Sequence, residues 1–152
     1  MKNKLSIFWI ICKVLLITIN STTLFAEEMH TLETDFKIGE KGPGGGIIFF
    51  AENNTYMEYI VKTGRFRWNE AMAEAKNYRG GGFTDWRLPT REEQLLLFRS
   101  VRENRLEIIP YEIFWSSSEI SNNTAWYRNF SGGRQGSAGK TSFFRILFIR
   151  DF

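Results

Sequence analysis

The chain has 152 residues, 43% of them hydrophobic and 24% charged, an ordinary globular mixture at a length that suits one domain rather than a two-domain enzyme. Its net charge of +3 resides in residues 1–26, which hold Lys2, Lys4 and Lys13 and no acid. Setting those three aside from the 20 basic residues leaves 17 against 17 acids, so global charge argues for neither nucleic acid nor an anionic membrane surface as a partner.

Residues 1–26 have the layout of a secretory signal peptide: a basic start, an apolar stretch over 5–19 broken by Lys13, and a polar end closing on Ala26. The apolar run is shorter than the roughly 20 residues a membrane span requires. Cleavage after Ala26 is therefore expected, with no stable span afterwards and a periplasmic, outer-surface or secreted location. The single cysteine, Cys12, lies in that run. The mature chain is expected to have no disulfide, no thiolate nucleophile and no zinc–thiolate site.

Residues 27–35 are polar and aperiodic and read as a linker, which leaves 36–152 as the domain. Phe36-Lys37-Ile38 alternates like a short strand, followed by turn-rich residues 39–46. Apolar runs at 47–51 and 57–61, separated by polar 52–55, predict a hairpin. Trp68, Ala71, Met72 and Ala75 share one face of a helix over 68–78, with Gly80-Gly81-Gly82 as its stop. A second helix is predicted over 90–104, opened by a Thr90/Glu93 capping box, with Leu95, Leu96 and Phe98 turned inward. Aromatic-rich stretches at 114–117, 125–130 and 143–150 read as strands. The last is apolar on both faces, as a central strand is. A strand, two helices and then strands make an α+β domain with a small mixed or antiparallel sheet.

Several pieces resemble the C-terminal domain of the Legionella collagen-like adhesin and its bacterial relatives. They are Ile38-Gly39 with Gly42-Pro43-Gly44-Gly45-Gly46-Ile47-Ile48-Phe49-Phe50, then Trp68 with Ala71, then Trp86-Arg87-Leu88-Pro89-Thr90 with Glu93. Phe114-Trp115-Ser116-Ser117-Ser118-Glu119, Ala125-Trp126-Tyr127 with Phe130, and the stretch from Arg145 to Arg150 complete the series. The resemblance implies a C-type lectin-like fold with adjacent chain ends and an adhesin-like role. The sequence carries no collagen-like repeat, so stalk-borne multivalency does not follow from it.

The glycines at 42–46 precede an apolar strand rather than a helix, and they lack the Lys and hydroxyl of a phosphate loop. They read as a tight turn using positive φ. Residues 86–90 read as architecture, with Trp86 and Leu88 in the core and Asp85 pairing locally with Arg87. Catalysis has little support: the only histidine, His30, falls in the linker, and Asp85 and Glu119 form a carboxylate pair only if the fold brings them together. The Glu/Gln-Pro-Asn/Asp loop and Trp-Asn-Asp strand of calcium-dependent lectins are absent, so neither metal nor cofactor is expected.

From Arg128 to the end, five bases face one acid, Asp151. Residues 132–140 read as a flexible loop bearing two cations. The expected contact residues are Arg128, Arg134, Gln135 and Lys140, whose chemistry suits sulfate or carboxylate oxygens. Arg145 and Arg150 read as structural. The expectation is an exported, non-catalytic binding module that recognises an anionic glycan or a host surface component without metal. The alternative is a structural or protein-interaction module of the bacterial cell envelope.

Overall fold

The computed structural model describes residues 35–106, 110 and 112–152. The stretch expected to be a signal peptide, Cys12, His30 and the expected linker short of Asp35 lie outside the described residues. Phe36–Phe152 forms one compact unit.

Six strands and two helices build this unit. In chain order they are β1 (Ile47–Glu52), β2 (Thr55–Phe66), α1 (Trp68–Asn77), α2 (Arg91–Glu103), β3 (Ile113–Glu119), β4 (Thr124–Asn129), β5 (Gln135–Gly139) and β6 (Phe144–Asp151). They form one sheet in the order β1-β2-β6-β3-β4-β5. All neighbours are antiparallel except β3 and β6, which run parallel through Phe114 and Arg145. The fold is α+β with a mixed sheet, as the order of elements predicts.

The β1–β2 hairpin closes through Asn53 and Asn54, at φ 50° and 58°, with Glu52 paired to Thr55. Two consecutive positive φ values make the type I′ turn whose twist matches antiparallel strands, and asparagine tolerates that region best after glycine. The short strand expected at 36–38 does not form. Phe36 instead packs edge-on against Tyr56 and Phe152, each at 5.4 Å. Tyr56 and Phe152 also exchange both backbone hydrogen bonds at 3.0 Å, so the ends of the unit meet.

Two cores lie on opposite faces of the sheet. Under α2, Leu97 packs with Phe49, Met57, Tyr59, Phe114 and Leu147. Under α1, Trp68, Ala71 and Ala75 pack with Trp86, Trp115 and Phe148. Central β6 serves both, because alternate side chains of a strand point opposite ways: Leu147 and Ile149 belong to the first core, Ile146 and Phe148 to the second. On the inward face of α2, Leu96 and Phe98 pack partly buried against the first core as expected, but the centre of that face lies on residues the sequence does not single out. Leu97 and Gln94 are its most buried residues, and the Gln94 amide donates to the carbonyls of Phe114 and Trp115 at 3.1 and 2.9 Å. Met72 and Phe143, both expected to face inward, are 37% and 51% exposed.

The glycine-rich turn is fastened from below. Glu58, fully buried on β2, accepts hydrogen bonds from the Gly44 and Gly46 N–H groups, both at 2.8 Å. Positive φ explains only Gly45 within 42–46. Gly42 and Gly44 are glycine because a Cβ there would come within 2.6 and 2.5 Å of the Glu58 carboxylate. Arg150 donates to Glu58 at 2.9 Å and forks onto Asp85 at 2.9 and 3.1 Å. Its guanidinium lies 3.7 Å from the Phe83 ring centroid. Asp85 therefore pairs with Arg150 across the fold rather than with its neighbour Arg87. Arg87 instead clasps Glu93 in a two-pronged ion pair at 2.7 and 2.8 Å and reaches Asp151 at 3.0 Å. Glu93 also completes the predicted capping box with Thr90.

Candidate binding site

The stretch expected to be one flexible loop over 132–140 is largely strand. Residues 135–139 form β5, each paired to a partner on β4. An apolar pattern marks strands in sequence, and Gln-Gly-Ser-Ala-Gly has none, so only the ladder reveals it. The four predicted contact residues are consequently divided. Gln135 and Lys140 flank this edge strand at opposite ends, about 16 Å of extended chain apart at roughly 3.3 Å per residue. Lys140 is held in place: its ammonium pairs with Glu119, lies 4.2 Å from the Trp68 ring centroid, and its carbonyl accepts from Trp68 N at 3.0 Å. Asp85 and Glu119 are thus claimed by separate cations, Arg150 and Lys140, and do not form a carboxylate pair.

Arg128 and Gln135 stay together, in a setting that the sequence does not reveal. Trp126, Arg128 and Phe130 alternate onto the sheet face that α2 covers, as the Phe98–Phe130 edge contact at 5.7 Å and the Arg91–Trp126 contact at 5.0 Å record. Arg128 is 3% exposed. Its Nη1 donates to the Gly133 carbonyl at 2.7 Å and its Nη2 to Gln135 Oε1 at 3.1 Å. Both acceptors are neutral. The buried Nε has no partner among the described residues, and no carboxylate there pairs with this guanidinium. Gly133, at φ 73°, lets the turn lie against Phe98, whose Cε1 would stand 2.4 Å from a Cβ.

Two further cations from α2 face Arg128. Arg91, Leu95, Arg99 and Arg102 follow at i, i+4, i+8 and i+11 and form one stripe along the helix. Burial, with added repulsion from Arg99 and Arg91, pulls the Arg128 pKa below its ordinary value, though a guanidinium stays charged at any physiological pH. A buried cation without a counter-charge costs several kcal/mol, and nearby positive charge adds to that. Arg91 shares its charge with Glu92 at 2.8 Å. The Arg99 and Arg134 side chains are exposed and have no ion-pair partner among the described residues. The result is a positive face whose central charge, Arg128, acts through its field, while Arg99 and Arg134 present guanidiniums to solvent.

Nothing local in the sequence marks Arg91 and Arg99 as neighbours of a buried cation. The helical stripe was there to be seen. What was missing was the sheet face on which α2 would lie.

Among the described residues no three metal-ligating side chains converge. The family model described as the Lcl C-terminal domain matches residues 26–150. No curated protein matches the chain.

Proposed function

The chain belongs to the Lcl C-terminal domain family, a bacterial adhesin-associated family, and from that premise we propose that it is an exported, non-catalytic recognition module. It binds an anionic glycan or host surface component, without metal, on the face where α2 lies against the β4–β5 hairpin. One observation carries this reading: Arg128 is buried without a counter-charge while Arg91 and Arg99 crowd it. A sulfate or carboxylate arriving at Arg99 and Arg134 relieves repulsion that already exists in the free protein, so binding and folding energetics favour the same ligand sign. Arg134 stays in the contact set, Arg128 and Gln135 support it from beneath, and Lys140 serves the fold.

The test is an array of sulfated, uronate-rich and neutral glycans probed with purified protein at two salt concentrations. Capture of the anionic members that weakens at higher salt, and disappears in Arg99→Ala with Arg134→Ala, is the expected result. A blank array from folded protein would overturn the reading.

A further inference from the structure

A second feature stands on the opposite face of the sheet. A cleft of about 320 Å³, within the size range of small-ligand sites, opens where the end of β2, the start of β3, the end of β4 and the approach to β6 converge. Its walls include Arg65, Glu112, Asn129, Ser131 and Phe143. Asn129 follows Arg128 on β4 and so points to the other side of the sheet. The cleft is thereby separate from the positive face described above.

Phe143 is the most exposed large apolar residue described, at 51%. Arg67 covers part of its ring, with the guanidinium 4.9 Å from the centroid, and Arg67 is not among the walls of the cleft. Phe143 both lines the cleft and keeps about half of its surface in solvent beside the Arg67 contact. A half-exposed aromatic ring steadied by a cation can serve as a stacking platform.

The polar walls offer both donors and acceptors. Glu112 accepts from Arg65 at 2.6 Å and from Arg145 at 2.7 Å, and these two guanidiniums hold its carboxyl below the ordinary pKa. The two guanidiniums more than balance its charge, and a carboxylate oxygen holding one such bond keeps a lone pair with which to accept from a hydroxyl. Asn129 Oδ1 is taken by the backbone N–H and hydroxyl of Ser131, which leaves the amide N–H groups of Asn129 as the donor beside it.

We propose that this cleft is a subsite for one uncharged pyranose ring, stacked on Phe143 with its hydroxyls on Glu112 and Asn129. A sugar hydroxyl both donates and accepts, which suits this mixed rim of carboxylate, amide and guanidinium, whose own charges are already paired across Glu112. Recognition here differs in kind from that at the positive face, because hydrogen bonding and stacking depend little on ionic strength.

The experiment is an amide-resolved NMR titration of the protein with lactose, cellobiose, maltose and N,N′-diacetylchitobiose at low and high salt. At least one disaccharide is expected to shift the amides of Asn129, Ser131, Phe143 and Phe144, with little change on adding salt. Phe143→Ala is expected to weaken that binding at least tenfold and Phe143→Trp to restore it. Phe143 is half in solvent, so its loss leaves both cores intact, which an unchanged spectrum elsewhere verifies. No shift with any of the four sugars, or shifts that survive Phe143→Ala, would overturn the site. A sulfated glycan that binds α2 and β4–β5 in a protein whose cleft stays silent to all four neutral sugars would overturn this site while leaving the proposed function standing.

Discussion

Arg150 and Asp85 make a pair whose two members should matter very unequally. Replacing Arg150 with Met removes the guanidinium and leaves Glu58, fully buried, with only the Gly44 and Gly46 N–H groups to balance its charge. Stranding a buried charge in this way costs about 3–5 kcal/mol. Replacing Asp85 with Asn removes a carboxylate that is 50% exposed and keeps an oxygen for the Arg150 Nε, so the loss is about 1 kcal/mol or less. Urea unfolding of the two variants measures the contrast. With a slope of about 1–3 kcal/mol per molar urea, Arg150→Met should lower the midpoint by about 1 M or more. Hydrogen exchange at Gly44 and Gly46 should accelerate in Arg150→Met and not in Asp85→Asn. Equal costs for the two substitutions, or a larger one for Asp85→Asn, would refute the claim that Arg150 stabilises the fold chiefly through Glu58.

Burial raises the Glu93 pKa, but the bonds from Arg87 and Thr90 outweigh it and hold the carboxyl below its ordinary value. Its contribution to stability is then complete above the unfolded value of about 4.3 and is lost as pH falls through the lowered folded value. Glu93→Gln should reduce stability at neutral pH and flatten the acid limb of a pH–stability curve. The Tyr59 hydroxyl is buried without a partner among the described residues, and burial pushes its pKa up to about 12. Tyr59→Phe removes that unpaired group and should raise stability by about 1 kcal/mol in the same urea assay. Gly133→Ala places a Cβ at positive φ and against Phe98. A cost of about 1–3 kcal/mol is expected, with loss of the Arg128 bond to the residue 133 carbonyl visible as a shift of the Arg128 guanidinium N–H signals.

Periodicity and capping made much of this fold legible. The Thr90/Glu93 box opens α2, the spacing of Trp68, Ala71 and Ala75 gives α1 its buried face, and the doubly apolar run at 144–149 is the central strand. Interactions distant in sequence were not legible. Glu58 falls inside the apolar run at 57–61, and nothing local shows that Arg150, 92 residues later, would meet it. That carboxylate also explains Gly42 and Gly44, which local reasoning assigned to positive φ although they make room for Glu58. The full set of cations around Arg128 was hidden for a related reason. Charge counting along the chain grouped Lys140 with Arg134, whereas the ladder of β5 separates them and the packing of α2 brings Arg91 and Arg99 towards Arg128 instead of Lys140.

The central claim is that α2 and the β4–β5 hairpin together make an anion-recognition face. It is tested most directly by measuring capture of the protein on an immobilised sulfated, uronate-rich glycan, comparing Arg99→Glu with Arg134→Glu against Lys140→Ala. The account predicts that the charge-reversed pair abolishes salt-sensitive capture while Lys140→Ala, whose ammonium is already committed to Glu119 and Trp68, retains it. Capture that survives the double reversal and vanishes with Lys140→Ala would contradict it.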